Sequence, residues 1–265
     1  AKPCVMGFGE AGARLPSFIC LMGLLLAVGL FGRRFGERVA ILAPLVLGGM
    51  LLPALLGRLM MTDMPLCLAL ALALIATWSA AEARSQTGWA VAGAMVGIGV
   101  LAKGPIALIL FAPPAIYAVR SFPRSLSVLS FFLFVAAMIG VTATWYVPAY
   151  VANGNLFVQK FLIEQNIGRF SGGDAAHTLG LAYVWLYLPI AVLGALPFTP
   201  WAVRVWRGGD SRHAFLRWWA LGTLGFFSIS GAKLPHYILP LFPPLALLVA
   251  ERLAERRTSP RLLAG

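Results

Sequence analysis

Long apolar runs decide what this chain can become. Leu15–Gly32, Met64–Ala81 and Leu126–Trp145 each run for about 18 residues or more with almost no charge, the length that a helix needs to cross a hydrocarbon layer. No stretch alternates apolar and polar residues as a barrel strand would, so the backbone must satisfy itself by helix formation. The sequence therefore predicts an all-α, polytopic integral membrane protein. With 60% hydrophobic and 11% charged residues and a mean hydropathy of +0.85, the composition agrees.

About nine spans are expected. Residues 1–14 form a short outer segment. Residues 15–145 hold spans one to six: Leu15–Gly32, Val39–Leu56, Met64–Ala81, two short spans within Gly88–Val119, and Leu126–Trp145. One helix over Gly88–Val119 would overshoot a bilayer of about 30 Å at about 1.5 Å per residue, and Lys103-Gly104-Pro105 is the natural break. Residues 146–180 are a long polar loop, and residues 181–250 carry three more spans, Leu181–Val203, Trp218–Ser230 and Ile238–Ala250. A basic tail, 251–265, closes the chain. Pro44 and Pro53 are expected to bend the second span, and Thr62 or Asp63 to cap the third.

A net charge of +12 would suit nucleic acid, but the placement of the cations argues against it. Fourteen of the 21 Lys and Arg residues fall in loops on one side, which the positive-inside rule makes cytoplasmic. The Tyr146–Gly180 loop and Lys233–His236 then face outward, whether Gly88–Val119 is one span or two. Cys4, Cys20 and Cys67 show no CxxC spacing, and neither a disulfide nor a cysteine-metal framework is expected.

The outward side collects the chemistry. Lys160, Glu164, Arg169, Asp174 and His177 share the long loop, where Leu156–Phe170 has the pattern of an interfacial helix. Asp63, Lys103, Lys233, His236 and Tyr237 join them from shorter turns. Ionisable groups at membrane depth are costly, so a mixed set of acids and bases there marks a site. Arg169 is the first candidate for a phosphate, because a guanidinium forks onto phosphate oxygens. Lys103 either snorkels to the interface or meets the same phosphate, and Asp63 either caps its helix or lines the site. Lys233 and Tyr237 sit at a helix start, where the dipole favours anions, or Lys233 only anchors its span.

Five motifs occur in order: Ala13-Arg14-Leu15-Pro16-Ser17, Thr62-Asp63-Met64-Pro65, Leu101-Ala102-Lys103-Gly104-Pro105, Glu164-Gln165-Asn166-Ile167-Gly168-Arg169-Phe170 followed by His177, and Lys233-Leu234-Pro235-His236-Tyr237-Ile238-Leu239-Pro240. Together they resemble the bacterial aminoarabinose transferase and protein mannosyltransferase superfamily of GT-C glycosyltransferases, over nearly the whole chain. The resemblance implies transfer of a sugar from a polyprenyl-phosphate donor to a lipid A-like or protein acceptor on the periplasmic side of the bacterial inner membrane, with inversion. It implies donor-phosphate contacts from Arg169, Lys103, Lys233, Tyr237 and Lys2, the last because Lys2-Pro3 resembles a Glu-Lys-Pro motif with Ala1 in the place of its Glu. His177 would be a ligand of a divalent metal, or a hydrogen-bond partner of the phosphate or Glu164.

In such enzymes a carboxylate in the first outer loop aligns or deprotonates the acceptor. That loop and the span before it are expected to lie upstream of Ala1, the chain being read as a fragment; Glu164 and Asp63 are the candidates within it. The fragment alone is accordingly expected to be inactive. Membrane lipids are the remaining expected partners. The rival functions are a secondary transporter, which would want midplane charges and repeat symmetry, and an inactive remnant.

Overall fold

The computed structural model describes residues 10–160, 181–231 and 233–256. Among them every regular element is helical. In chain order these are α1 (Glu10–Gly32), α2 (Glu37–Gly49), α3 (Leu51–Leu56), α4 (Asp63–Ala83), α5 (Gln86–Lys103), α6 (Ile106–Ser121), α7 (Val128–Asn153), α8 (Tyr187–Gly194), α9 (Ser211–Ile229) and α10 (Phe242–Arg256), with single turns and 3₁₀ segments between them. Four stretches among the described residues are long and apolar enough to cross a membrane: Gly12–Phe35, Asp63–Ala83, Val128–Asn153 and Pro235–Glu255. The protein is a polytopic, all-helical membrane protein.

α4 lies at the centre, buried on most sides, with Met64, Cys67, Leu70, Leu74 and Trp78 in the core. α1 and α2 fold against each other closely, since Gly29 and Gly32 leave room for the backbone at Ala40. α5 packs between α4 and α7. The approach to α7 depends on Gly93 and Gly97: a Cβ at Gly93 would fall 2.0 Å from the Phe134 carbonyl oxygen, and one at Gly97 2.8 Å from that of Met138. Small residues four apart let two helix backbones meet where no hydrophobic force between helices exists to drive them. The flanks of α7 away from α5 stay exposed, with Val128, Phe132 and Ile139 among the uncovered apolar side chains.

Gly88–Val119 is interrupted at the expected place. α5 ends at Lys103, Gly104 takes φ 80, where a side chain would be strained, and Pro105 caps α6. Elsewhere proline changes the expected outline. Val39–Leu56 is two helices, not one bent helix: Met50 is extended, and the Leu51 amide donates to the Leu196 carbonyl at 2.9 Å instead of continuing the ladder. Pro53 has no amide with which to continue that ladder itself. Leu181–Val203 is likewise divided, into a 3₁₀ segment (Leu181–Leu186), α8 and a single turn at Thr199–Ala202. α7, by contrast, continues past Trp145 to Asn153. Of the loop-helix segment 156–170, only its first residues fall among the described ones.

Candidate functional site

Two helix ends and one 3₁₀ turn converge on a single polar cluster. Asp63 is the first residue of α4, at the positive end of that helix's dipole; Lys103 is the last residue of α5, at the negative end of its own. Each charge is thus favoured where it sits. They also meet: the Lys103 ammonium donates to Asp63 Oδ1. Thr62, the residue before α4, makes no side-chain cap, and Asp63 spends its carboxylate on tertiary partners, so its role as a simple helix cap gives way to an ion pair. With the Asp63 side chain only 6% exposed, that partner is a requirement.

The 3₁₀ turn Pro235–Leu241 brings the third component. His236 Nε2 lies 3.8 Å from Asp63 Oδ2. The Tyr237 ring lies under Lys103, 4.1 Å from its nitrogen, and packs perpendicular to the His236 ring. Tyr237 also rests against Phe227 of α9. From α1, Ser17 secures the entry to α4: its hydroxyl accepts from the Met61 amide and donates to the Met61 carbonyl, both at 3.2 Å. The motifs singled out around Ser17, Asp63, Lys103 and His236 therefore share one end of the bundle.

The Lys233 ammonium is engaged by backbone. It donates to the carbonyls of Phe227 (3.3 Å), Ser228 (2.7 Å) and Ser230 (2.9 Å) at the C-terminus of α9. Desolvation lowers its pKa from the ordinary lysine value. Tyr187 is fully buried beside it, with its hydroxyl donating to the Leu234 carbonyl and accepting from the Leu234 amide at 3.1 Å each. No local pattern announces that bridge; it joins α8 to a turn far along the chain. Lys2, Glu164, Arg169, Asp174 and His177 lie outside the described residues. Among the described residues no group of three His, Cys, Asp or Glu side chains is placed to hold a metal ion.

A second cluster lies at the other end of α9. Asp210 caps the helix, accepting from the amides of Arg212 and His213, while His213 Nδ1 stands 2.8 Å from Asp210 and Nε2 meets Glu251 of α10. The hydrogen bond to Glu251 raises the His213 pKa above its ordinary value against the opposing effect of burial. Burial pushes Asp210 upward, but the hydrogen bonds from His213 and the charge of Arg212 outweigh it and hold Asp210 at about 2.

One end of the all-helical bundle thus holds a buried, helix-terminal acid–base cluster. Residues 3–149 match the family model described as dolichyl-phosphate-mannose-protein mannosyltransferase. The chain belongs to this family and has the GT-C fold. It is 33% identical over 262 residues to the undecaprenyl phosphate-alpha-4-amino-4-deoxy-L-arabinose arabinosyl transferase of Erwinia tasmaniensis, covering 93% of this chain and 46% of that protein. It is 35% identical over 199 residues to the enzyme of the same name from Pseudomonas aeruginosa strain LESB58, covering 70% of this chain and 35% of that one. The crystal structure of ArnT from Cupriavidus metallidurans bound to undecaprenyl phosphate superposes with a TM-score of 0.83 at 25% identity, over 96% of this chain and 48% of that one. The chain thus spans less than half the length of these relatives.

Proposed function

We propose that this chain binds the donor in a membrane glycosyltransferase that moves a sugar from a polyprenyl phosphate to a lipid A-like or protein acceptor on the periplasmic face of the inner membrane. The observation that carries the reading is the meeting of Asp63, Lys103, His236 and Tyr237 at one end of the bundle, in a family whose relatives bear polyprenyl-phosphate transferase names. The bond between the anomeric carbon and the phosphate oxygen breaks as the acceptor oxygen bonds that carbon from the opposite face, which inverts it. The leaving phosphate gains charge in that step. Lys103, fixed by Asp63 and Tyr237, and Arg169 from the long loop would stabilise the gained charge more than the ground state. The acceptor's proton must go to a base. Asp63 is engaged by Lys103, so that base is expected to be another group.

The test is binding of undecaprenyl phosphate to the purified protein, with and without Lys103→Met and Arg169→Ala, beside a sugar-transfer assay. Each variant is expected to weaken binding and transfer together. Wild-type binding in both variants would refute the reading.

A further inference from the structure

We propose that Lys233 is a positioning residue rather than a ligand of the donor, and that with Tyr187 it forms a clamp that sets His236 and Tyr237 at the site. The inference rests on the reading of the cluster as a donor-phosphate site. Its evidence is geometric. Lys233 is 3% exposed, and an ammonium has three donors. All three find carbonyl oxygens at the end of α9, where an α-helix leaves its last carbonyls without amide partners. The charge is answered by the negative end of the α9 dipole and by the Tyr187 ring, 5.7 Å from the nitrogen, with no acid beside it among the described residues. A lysine spent in this way has no donor left for a phosphate.

Tyr187 completes the clamp one residue later. By taking both the amide and the carbonyl of Leu234, its hydroxyl fixes the peptide groups on either side of that residue. Pro235 then restricts the next φ and starts the 3₁₀ turn. Within two residues the chain has delivered His236 to Asp63 and Tyr237 to Lys103. The turn is thus held from α8 and α9 on one side, while its side chains work against α4 and α5 on the other. Loss of either clamp residue would loosen the same two side chains.

The two roles make opposite forecasts. A phosphate-contacting lysine is largely replaced by arginine, which keeps the charge, and its loss flattens the salt dependence of binding. A carbonyl-capping lysine is not replaced by arginine, because a planar guanidinium cannot converge on three oxygens arranged around a point. Tyr187 would be silent in the first case and equivalent to Lys233 in the second.

The experiment measures undecaprenyl phosphate binding to the detergent-solubilised full-length protein at several salt concentrations, and amide hydrogen exchange across residues 234–241. Lys233→Met and Tyr187→Phe are each expected to weaken binding about tenfold, the equivalent of one or two lost hydrogen bonds, with the salt dependence unchanged. Exchange in 234–241 should accelerate in both, and Lys233→Arg should not restore binding. Restoration by arginine with Tyr187→Phe at wild-type affinity would overturn the proposal, as would unchanged exchange in both variants. Should Lys233→Met fail to fold, Tyr187→Phe carries the same comparison. A wild-type protein that binds no undecaprenyl phosphate would remove the donor-site reading, and the exchange rates would then decide the clamp alone.

Discussion

The Tyr237 ring lies 4.1 Å beneath the Lys103 ammonium, so the cation that grips Asp63 is also pressed against an aromatic face. A lysine normally moves freely on four methylene groups. Here two partners from different elements hold it, and a group held in advance costs little to order when the reaction needs it.

Breaking this pair from one side should be costly. Lys103→Met strands a buried carboxylate at Asp63, which generally destabilises by about 3–5 kcal/mol. Asp63→Asn should cost less, because Lys103 keeps some access to solvent. The double variant Asp63→Asn/Lys103→Met should lose less than the two single losses combined. Thermal unfolding in detergent checks this. Strict additivity would show that the two side chains do not depend on each other.

Gly93 offers a test of how α5 is seated. Gly93→Ala puts a methyl group 2.0 Å from the Phe134 carbonyl, so α5 and α7 must separate, at about 1–3 kcal/mol. Gly140→Ala, on α7 with open space around it, should be neutral or slightly stabilising. A Gly93→Ala protein as stable as wild type in denaturant would mean that the two backbones do not touch there.

The His213 cluster predicts a pH dependence of stability. A histidine whose folded pKa is raised contributes stability that is complete below its ordinary value of about 6.5 and is lost as pH rises through the raised one. Asp210, held at about 2, contributes stability that is complete above the ordinary aspartate value and fades only as pH falls toward 2. Wild type should therefore lose melting temperature relative to His213→Gln as pH climbs above about 6.5, and the difference between the two should be flat from about pH 4 to 6. Parallel melting curves across that whole range would count against the hydrogen bond to Glu251.

Orientation is open to direct labelling. Asn153, exposed at the end of α7, and Glu37, exposed at the start of α2, belong to opposite sides by the basic-residue count. In a cysteine-free background, Asn153→Cys should react with a membrane-impermeant thiol reagent in cells with a permeabilised outer membrane, and Glu37→Cys only after the inner membrane is opened. The reverse pattern would invert the topology and place the site on the cytoplasmic side.

What could be read in advance depended on how local its cause was. The helix break at Lys103-Gly104-Pro105 was legible, since proline and a positive-φ glycine act within three residues. The all-helical membrane class was legible from the apolar runs for the same reason. The break at Met50 was not, because its replacement hydrogen bond comes from Leu196, remote in sequence. The Gly93–Gly97 stripe is present in the sequence, but the helix it would meet could not be named. Asp63 and Lys103 were recognised singly, and their pairing required the packing of α4 against α5. The carbonyl partners of Lys233 belong to the preceding helix, and nothing in the local sequence around a lysine at a helix start shows them.

The clamp answers a buried cation without spending an acid. Helix carbonyls, which carry no net charge, take all three hydrogens of the Lys233 ammonium, so Asp63 is left to Lys103 and His236. A neutral substitution at Asp63 and one at Lys233 therefore disturb different halves of the same turn: the first releases its side chains, the second its backbone.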